Sequence, residues 1–186
     1  MRGLAVVIAS GVVFGCATPS SQPVAEVQRT QVNDFQLEAR VSVRDGSRSS
    51  ATSIFWSHRP TADEIDFLAP TGQVMGRLES SAAGAVLQLP GGERRSAPTL
   101  DALASELFGI EVPVSRLSRW VQAAPGTAAR RLRSDQTGRP ALISEGGWVV
   151  EYVSYADESA QAPVRRLEAR WGEVQIQMIV DDWSAR

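Results

Sequence analysis

The feature that most limits the fold of this chain is a strict alternation of apolar and polar residues that begins at Phe35. Between Phe35 and Val43 every second residue is apolar, and the residues between them are Gln, Glu, Arg and Ser. A period of two with one apolar face is typical of a half-buried antiparallel strand. Asp45-Gly46 follows and predicts a tight turn. We therefore expect the folded body to begin with a strand of an antiparallel sheet.

Strand patterns recur along most of the chain and are interrupted by one helical region. The segment Leu100–Phe108 has apolar residues at helical spacing, with Thr99 as its expected cap and Gly109 as its end, and a second short helix is expected from Pro113. Ten or so antiparallel strands are too many for a flat sheet, so we predict a mainly β fold with one large curled sheet and the helices against its concave face or at its mouth. Further strands are expected near Ile54–Trp56, Ile65–Ala69, Val74–Glu79, Ala85–Leu89, Arg130–Ser134, Ala141–Ser144, Trp148–Tyr155, Val164–Trp171 and Val174–Val180.

The first sixteen residues have the features of a bacterial lipoprotein signal. A positive charge at Arg2 precedes a mostly apolar run over residues 3–15, which is shorter than the roughly 20 residues that span a bilayer. The run ends in Val-Phe-Gly-Cys, which resembles the lipobox. We expect residues 1–15 to be a signal peptide and Cys16 to carry the lipid, and Ala17 in place of Asp favours the outer membrane. An ordinary signal peptide that contains a cysteine is the alternative.

The segment between this cysteine and the alternating region is predicted to be a flexible tether. Residues 17–34 are mainly polar, include two prolines and have no sustained period. We therefore expect three parts: the signal peptide over residues 1–15, the lipidated cysteine and tether over residues 16–34, and one folded domain over residues 35–186.

The composition argues against catalysis, metal binding and nucleic-acid binding. All 19 basic residues are Arg, and against 21 acidic residues they give a net charge of −2, which is not typical of a nucleic-acid-binding protein. The chain has no Lys, one His (His58) and one Cys (Cys16). A His/Cys zinc site needs three or four such ligands, and a disulfide needs two cysteines. We expect no enzymatic activity, no cofactor and no metal, with His58 as a polar residue at a strand end.

An ordered series of short motifs extends from Phe35 to Trp183. In chain order they are F-x-L-x-A-R-V-x-V, F-W, F-L-A-P-T-G, V-P-V-x-x-L-x-x-W, A-x-P-G, G-W-V-V-x-Y and a final Trp. Each motif is weak alone, but the ordered set together with the lipobox resembles the LolB family of outer-membrane lipoprotein receptors. The resemblance implies an unclosed antiparallel β-barrel of about 10–11 strands, in which two or three helices cover a hydrophobic cavity, as in LolA/LolB-like folds.

The resemblance also implies a function. A protein of this kind accepts acylated lipoproteins from a LolA-type periplasmic carrier and incorporates them into the outer membrane. The expected partners are that carrier, the acyl chains of client lipoproteins and outer-membrane phospholipid, and we expect a lipid-anchored monomer on the periplasmic leaflet. An acyl chain gains about 0.8 kcal/mol per buried CH₂, so such cargo needs an apolar cavity. The residues expected to line the cavity or to carry the family motif are Trp56, Phe67, Leu103, Leu107, Leu117, Trp120, Trp148, Tyr152 and Trp183.

Two positions depart from the family pattern. Ala39 stands where the family usually has Gly. The turn Pro70-Thr71-Gly72 corresponds to the family's membrane-insertion loop, which usually carries an exposed leucine at the position of Thr71. Insertion by this chain would then depend on the nearby apolar side chains of Val74 and Met75.

Other functions stay open from the residues alone. One is a structural or assembly lipoprotein that binds a protein partner through a sheet edge or an exposed apolar patch. Another is an envelope hydrolase, which a single His disfavours. For each aromatic residue that we assign to the cavity, plain core packing is the alternative.

Overall fold

We describe a computed structural model of the chain over residues 24–109 and 112–186, without the side chains of Leu107 and Phe108. The predicted signal peptide and Cys16 lie outside these residues. Over the described ranges the chain forms eleven strands and two helices. The strands are β1 (Phe35–Asp45), β2 (Arg48–Arg59), β3 (Ala62–Leu68), β4 (Val74–Ser81), β5 (Gly84–Gln88), β6 (Arg94–Ala97), β7 (Arg130–Ser134), β8 (Pro140–Glu145), β9 (Trp148–Tyr155), β10 (Val164–Trp171) and β11 (Val174–Ala185), and the helices are α1 (Leu100–Phe108) and α2 (Val114–Trp120).

All of these strands belong to one antiparallel sheet in the order β6-β5-β4-β3-β2-β1-β11-β10-β9-β8-β7. Strands β6 and β7 form its two edges, so the sheet does not close. Strand β1 joins the two halves, because it pairs along its whole length with β2 and also with β11, where a bulge lies between Glu38 and Ala39. The predicted mainly β fold, with an unclosed antiparallel sheet and two helices, is confirmed.

The strand directions collect the turns at two opposite ends of the sheet. We call one the loop end; it carries the turns over residues 46–47, 69–73, 89–93, 146–147 and 172–173. We call the other the strap end, after residues 24–34, which lie along it and are described below. It carries the turns over residues 60–61, 82–83, 135–139 and 156–163 and the start of β1. Features far apart in sequence therefore meet at the same end of the molecule.

Both helices pack on the apolar face of the sheet. Helix α1 begins after Thr99, whose hydroxyl accepts a hydrogen bond from the Ala102 amide at 3.1 Å, and it ends at Gly109 in the left-handed conformation (φ 67°). Asp101 joins the two helices, because its carboxylate accepts hydrogen bonds from the amide and the hydroxyl of Ser115 at 2.8 and 2.7 Å. No helix in the described part of the chain is long and apolar enough to cross a membrane.

Residues 24–34, which we call the strap, lie on the body along the strap end. The Val27 amide donates to the Gly138 carbonyl at 2.8 Å. Val32 and Gln122 exchange two hydrogen bonds, one from the Val32 amide at 2.7 Å and one to its carbonyl at 3.0 Å. The prediction of a flexible tether up to Asp34 did not anticipate these contacts, because composition carries no information on acceptors that lie 90 or more residues away.

One additional strand and one strand boundary also differ from the prediction. Strand β6 is not predicted by the sequence, because RRSA has no apolar alternation. Its side chains are mostly exposed at the edge of the sheet, so an apolar face is not required there. Strand β2 begins at Arg48, six residues before the predicted start at Ile54. The sequence pattern missed its first half because that half is mostly polar and exposed and has no apolar alternation. The weakly patterned segments that form β7 and β8 are strands as expected.

Candidate functional site

An apolar pocket lies between the helices and the half of the sheet that contains β1–β4. Its volume is about 50 Å³, whereas pockets for small ligands typically measure roughly 300–1,000 Å³. The walls must therefore move apart before a ligand as long as an acyl chain can enter. The lining residues are Val41, Val43, Ser50, Thr52, Ile54, Trp56, Ile65, Phe67, Leu78, Ala104, Val112, Val114, Leu117 and Met178.

The chemistry of this lining is almost entirely hydrocarbon. Among the described lining residues none is ionisable, and the polar groups are the hydroxyls of Ser50 and Thr52 and the indole nitrogen of Trp56. Thr52 donates its hydroxyl hydrogen to the Leu68 carbonyl at 3.3 Å. Such a surface can bury apolar chain without leaving a charge unpaired, and it offers no acid, base or nucleophile for catalysis.

Asp63 holds the Trp56 side chain in place at the strap end of the pocket. The Trp56 indole donates to Asp63 Oδ1 at 2.8 Å, and His58 Nδ1 lies 2.6 Å from the same oxygen. The Ser80 hydroxyl donates to Asp63 Oδ2 at 3.2 Å. His58 also packs against Phe35, with ring centroids 4.8 Å apart. The structure thus places His58 at the end of β2 as a partner of Asp63.

The predicted site residues fall into two groups. Trp56, Phe67 and Leu117 line the pocket. Leu103 is fully buried in the hydrophobic core, and the side chain of Leu107 lies outside the described residues. The other four lie away from the described lining of the pocket: Trp120, Trp148, Tyr152 and Trp183.

Trp120 forms an aromatic cluster with Trp148 and Trp171. Its fully buried indole donates to Glu145 Oε2 at 2.7 Å, while Arg119 donates to Glu145 Oε1 at 2.9 Å. The Trp120 and Trp148 rings are 5.8 Å apart, and the Trp148 and Trp171 rings are 6.1 Å apart. Because Glu145 satisfies the indole nitrogen, this region is fixed, and Trp120 is a core residue beside the pocket rather than part of its lining.

Tyr152 and Trp183 also occupy structural positions. Trp183 stacks on Phe35 with a centroid distance of 4.4 Å. The Tyr152 ring lies 6.2 Å from that of Tyr155, and burial raises the pKa of both phenols. Both tyrosines are therefore neutral at physiological pH, and the Tyr155 hydroxyl donates a hydrogen bond to the Pro140 carbonyl at 2.6 Å.

Arg29 of the strap covers this tyrosine pair from the strap end. Its guanidinium donates to the carbonyls of Gln122, Ala160 and Ala162 at 2.8–3.1 Å. It also lies 5.3 Å from the centre of the Tyr155 ring. Burial lowers the pKa of Arg29 from its usual value, but the group stays protonated because that value is so high. The strap is thus bound by a charged anchor.

The turn after β3 forms a compact loop at the loop end. The Gly72 amide donates to the Ala69 carbonyl at 2.8 Å, and Gly72 has a φ of 83°, which explains the glycine. Pro70 and Thr71 are exposed at the tip of this loop. The exposed apolar side chains next to it are Val74 (42% exposed) and Met75 (50% exposed).

Several lining residues were not among the predicted site residues. Val41, Val43 and Ile54 could have been found, because the alternation in β1 and β2 already placed them on the inner face. Ser50 and Thr52 have polar side chains, and Met178 belongs to β11, which only the pairing with β1 brings to the pocket. Over residues 24–109 and 112–186, no group of three or more His, Cys, Asp and Glu side chains is placed to hold a metal ion.

Comparisons with known proteins place the chain among lipoprotein-sorting folds. The family described as Outer membrane lipoprotein LolB matches residues 33–183. Outer-membrane lipoprotein LolB of Azoarcus sp. (strain BH72) is 39% identical over 177 residues, which cover 95% of this chain and 92% of that protein. Outer-membrane lipoprotein LolB of Thiobacillus denitrificans is 32% identical over 189 residues, which cover 100% of this chain and 99% of that protein.

Solved structures with very different sequences share the fold. A LolA superfamily protein from Nitrosomonas europaea superposes with a TM-score of 0.50 at 8% identity, covering 87% of this chain and 90% of that chain. A DUF1329 family protein from Desulfovibrio piger superposes with a TM-score of 0.51 at 10% identity, covering 83% and 86%. At such identities the likeness concerns the fold alone.

Proposed function

The chain belongs to the LolB family of outer-membrane lipoproteins, and from this premise we propose that it is the outer-membrane receptor that takes acylated lipoproteins from a LolA-type periplasmic carrier. The observation that carries the proposal is the pocket under α1 and α2, whose described lining contains no ionisable side chain. An acyl chain gains about 0.8 kcal/mol for each CH₂ that it buries, so a hydrocarbon surface is what this cargo requires. The client is then released into the periplasmic leaflet of the outer membrane.

Acceptance of cargo requires the pocket to widen, and α1 is the part of the wall that can move. Exposed hydrogen bonds from Ser115 to Asp101 join it to α2, which Glu145 holds at Trp120. The contacts of α1 with the sheet are to β5 and β6, at the free edge. An edge strand of four residues is held on one side only, so this wall can shift with less disruption than the centre of the sheet.

The amino-terminal segment supplies the anchor in this proposal. Residues 1–15 are removed as a signal peptide, Cys16 carries the lipid, and residues 16–23 lead to the strap. The folded body then includes the strap as well as residues 35–186. A Cys16→Ala variant should lose palmitate labelling and leave the outer-membrane fraction. Palmitate labelling of this variant at the wild-type level would contradict the assignment.

The pocket can be tested with two neighbouring serines of β2. Both serines are exposed, but Ser50 lines the pocket, whereas the adjacent Ser49 points to the opposite face of the sheet. Ser50→Phe should fill the pocket and strongly slow the transfer of a triacylated lipoprotein from the carrier to the full-length protein. Ser49→Phe adds the same ring outside and should leave the transfer rate unchanged.

The outcome separates this function from the assembly-protein alternative. If both variants are folded and accept cargo at the wild-type rate, the pocket does not hold acyl chains. If the wild-type protein takes no lipoprotein from the carrier, the receptor function is wrong, and a structural role through a sheet edge becomes the better hypothesis.

A further inference from the structure

An exposed indole lies at the same end of the sheet as the predicted membrane-insertion loop. Trp171 ends β10 and is 44% exposed. The β10–β11 turn and the β3–β4 loop both lie at the loop end, because β10 and β3 run in the same direction in the antiparallel sheet. Among the exposed large apolar side chains of the described residues, Val74, Met75, Val149 and Trp171 lie at this end, although they come from separate halves of the sheet, whereas Val24, Leu132 and Val153 lie elsewhere.

Trp171 is held firmly in its exposed position. Its ring stacks on Trp148 with 28° between the planes, and Trp148 packs on Trp120, whose indole is bound by Glu145. An exposed tryptophan whose ring already packs on a buried ring loses little conformational entropy when it enters another apolar environment. Tryptophan also prefers the interface between hydrocarbon and water, where its ring is apolar and its N–H can bind a polar group.

We propose that the loop end is a membrane-binding face with two contacts, the β3–β4 loop with Val74 and Met75 on one side and Trp171 on the other. The partner is the surface of a phospholipid bilayer. This inference rests on the proposed delivery of lipoproteins to the membrane, and it adds a second contact that fixes the orientation of the body. Two separated contacts stop the molecule from rotating about a single loop.

The charges at this end are mixed, so the apolar side chains must carry any binding to a neutral lipid surface. Arg48 and Arg170 are exposed there, but Asp45 lies 3.9 Å from Arg48, and the exposed Glu173 follows Arg170 by three residues. Arg44, Arg94 and Arg130 are also exposed at this end. The apolar contacts should therefore carry the binding to vesicles of phosphatidylethanolamine and phosphatidylcholine, and anionic lipid should add an attraction that falls with added salt.

The segment between Cys16 and the strap is long enough for the lipid to reach a membrane at the loop end. Seven residues separate Cys16 from Val24, and the eight steps between their Cα atoms reach roughly 26–29 Å when the segment is extended. The strap contacts the sheet at Gly138, in the turn between β7 and β8. A strand of six residues, the length of β8, rises roughly 20 Å. The lipid can therefore enter the same membrane that the loop end contacts while the strap stays bound.

Single thiols can report the contact, because Cys16 is the only cysteine and lipidation consumes its thiol. The full-length lipidated protein would carry Met75→Cys, Glu173→Cys or, as a control, Val153→Cys, each labelled with the environment-sensitive fluorophore NBD. Val153 is 48% exposed in the middle of β9, away from the loop end. In zwitterionic vesicles the labels at positions 75 and 173 should shift to the blue and be quenched by doxyl lipids, whereas the label at position 153 should do neither.

A second substitution isolates the tryptophan. Adding Trp171→Ala to Glu173→Cys should abolish the blue shift at position 173, while the same change added to Met75→Cys should leave a shift at position 75. The proposal is overturned if the label at position 173 behaves like that at position 153, or if its shift survives Trp171→Ala. It is also overturned if the shift at position 173 needs the carrier and not the vesicles, because the face would then bind a protein. Uptake of lipoprotein from the carrier without vesicles tests the receptor function separately.

Discussion

The two halves of the sheet differ in how their inner faces are filled. In the half formed by β1–β6 the inner side chains are mostly aliphatic, and they leave a pocket under the helices. The inner side chains of β7–β11 are also mostly aliphatic, with Trp148 and Tyr152 where the other half has Phe35 and Trp56. The difference is that Glu145 fixes Trp120 of α2 over this half and Arg29 fixes the strap. One half is thus able to adapt, whereas the other is rigid.

This contrast explains how one sheet can both hold its shape and admit a ligand. Aliphatic side chains impose no direction on their contacts, so a wall made of them can move without breaking hydrogen bonds. A buried indole bound to a carboxylate cannot move without leaving both groups unpaired, which is costly, so Trp56 with Asp63 is a fixed part of the pocket wall and the aliphatic side chains are the part that moves. We expect the acyl chains to enter on the β1–β6 side and to press against a rigid β7–β11 side.

The largest effect should follow from removing the bond that fixes the rigid half. Glu145→Ala leaves the Trp120 indole and the Arg119 guanidinium without their described acceptor, and we expect it to lower the free energy of unfolding by roughly 2–4 kcal/mol. Urea denaturation measures this loss. The control Glu151→Ala removes partly exposed ion pairs with Arg133 and Arg170 and should cost less than about 1 kcal/mol. Equal losses would mean that the bond of Glu145 to Trp120 does not fix the β7–β11 half, and the contrast between the halves would lose its support.

The strap should be the next most sensitive element. Arg29→Ala removes the hydrogen bonds to three carbonyls, and we expect a loss of about 1–2 kcal/mol together with faster hydrogen exchange at the amides of Val27 and Val32. Arg40→Ala, which breaks an exposed ion pair with Asp181, should leave stability essentially unchanged. If exchange at both strap amides is already fast in the wild type, the strap is not part of the folded body.

The periodicity of the chain predicted the sheet well, but it could not predict how its inner face is divided. Alternation shows that Trp56 and Trp148 both face inward, yet only the pairing of eleven strands shows that Trp56 borders the pocket and Trp148 does not. The helical stripe likewise placed Trp120 inward, but its bond to Glu145 joins residues 25 positions apart. The contacts of Arg29 span 93–133 positions. No local pattern records such distances.

A matched pair of conservative substitutions should show a smaller difference between the halves. Ile143→Val removes a methylene from a fully buried side chain of the rigid half, and we expect a cost of about 1–1.5 kcal/mol. Ile54→Val makes the same change next to the existing pocket, where fewer contacts are lost, and we expect about 0.5 kcal/mol. Urea denaturation of both variants makes the comparison. A larger cost at Ile54 than at Ile143 would mean that the pocket side is the more tightly packed one.

The smallest effect on stability, and a clear effect on function, should come from the loop of the adaptable half. Thr71 is exposed at the loop tip, so Thr71→Leu should change the free energy of unfolding by less than about 0.5 kcal/mol. A leucine that enters the bilayer gains roughly 1.5–3 kcal/mol, so release of bound lipoprotein into liposomes should become faster by about tenfold or more, while uptake from the carrier stays the same. Thr61→Leu adds the same side chain to the turn between β2 and β3, at the opposite end of this half of the sheet, and should leave release unchanged. Equal acceleration by both variants would mean that added hydrophobicity anywhere on the body drives release, and that the loop end has no special part in delivery.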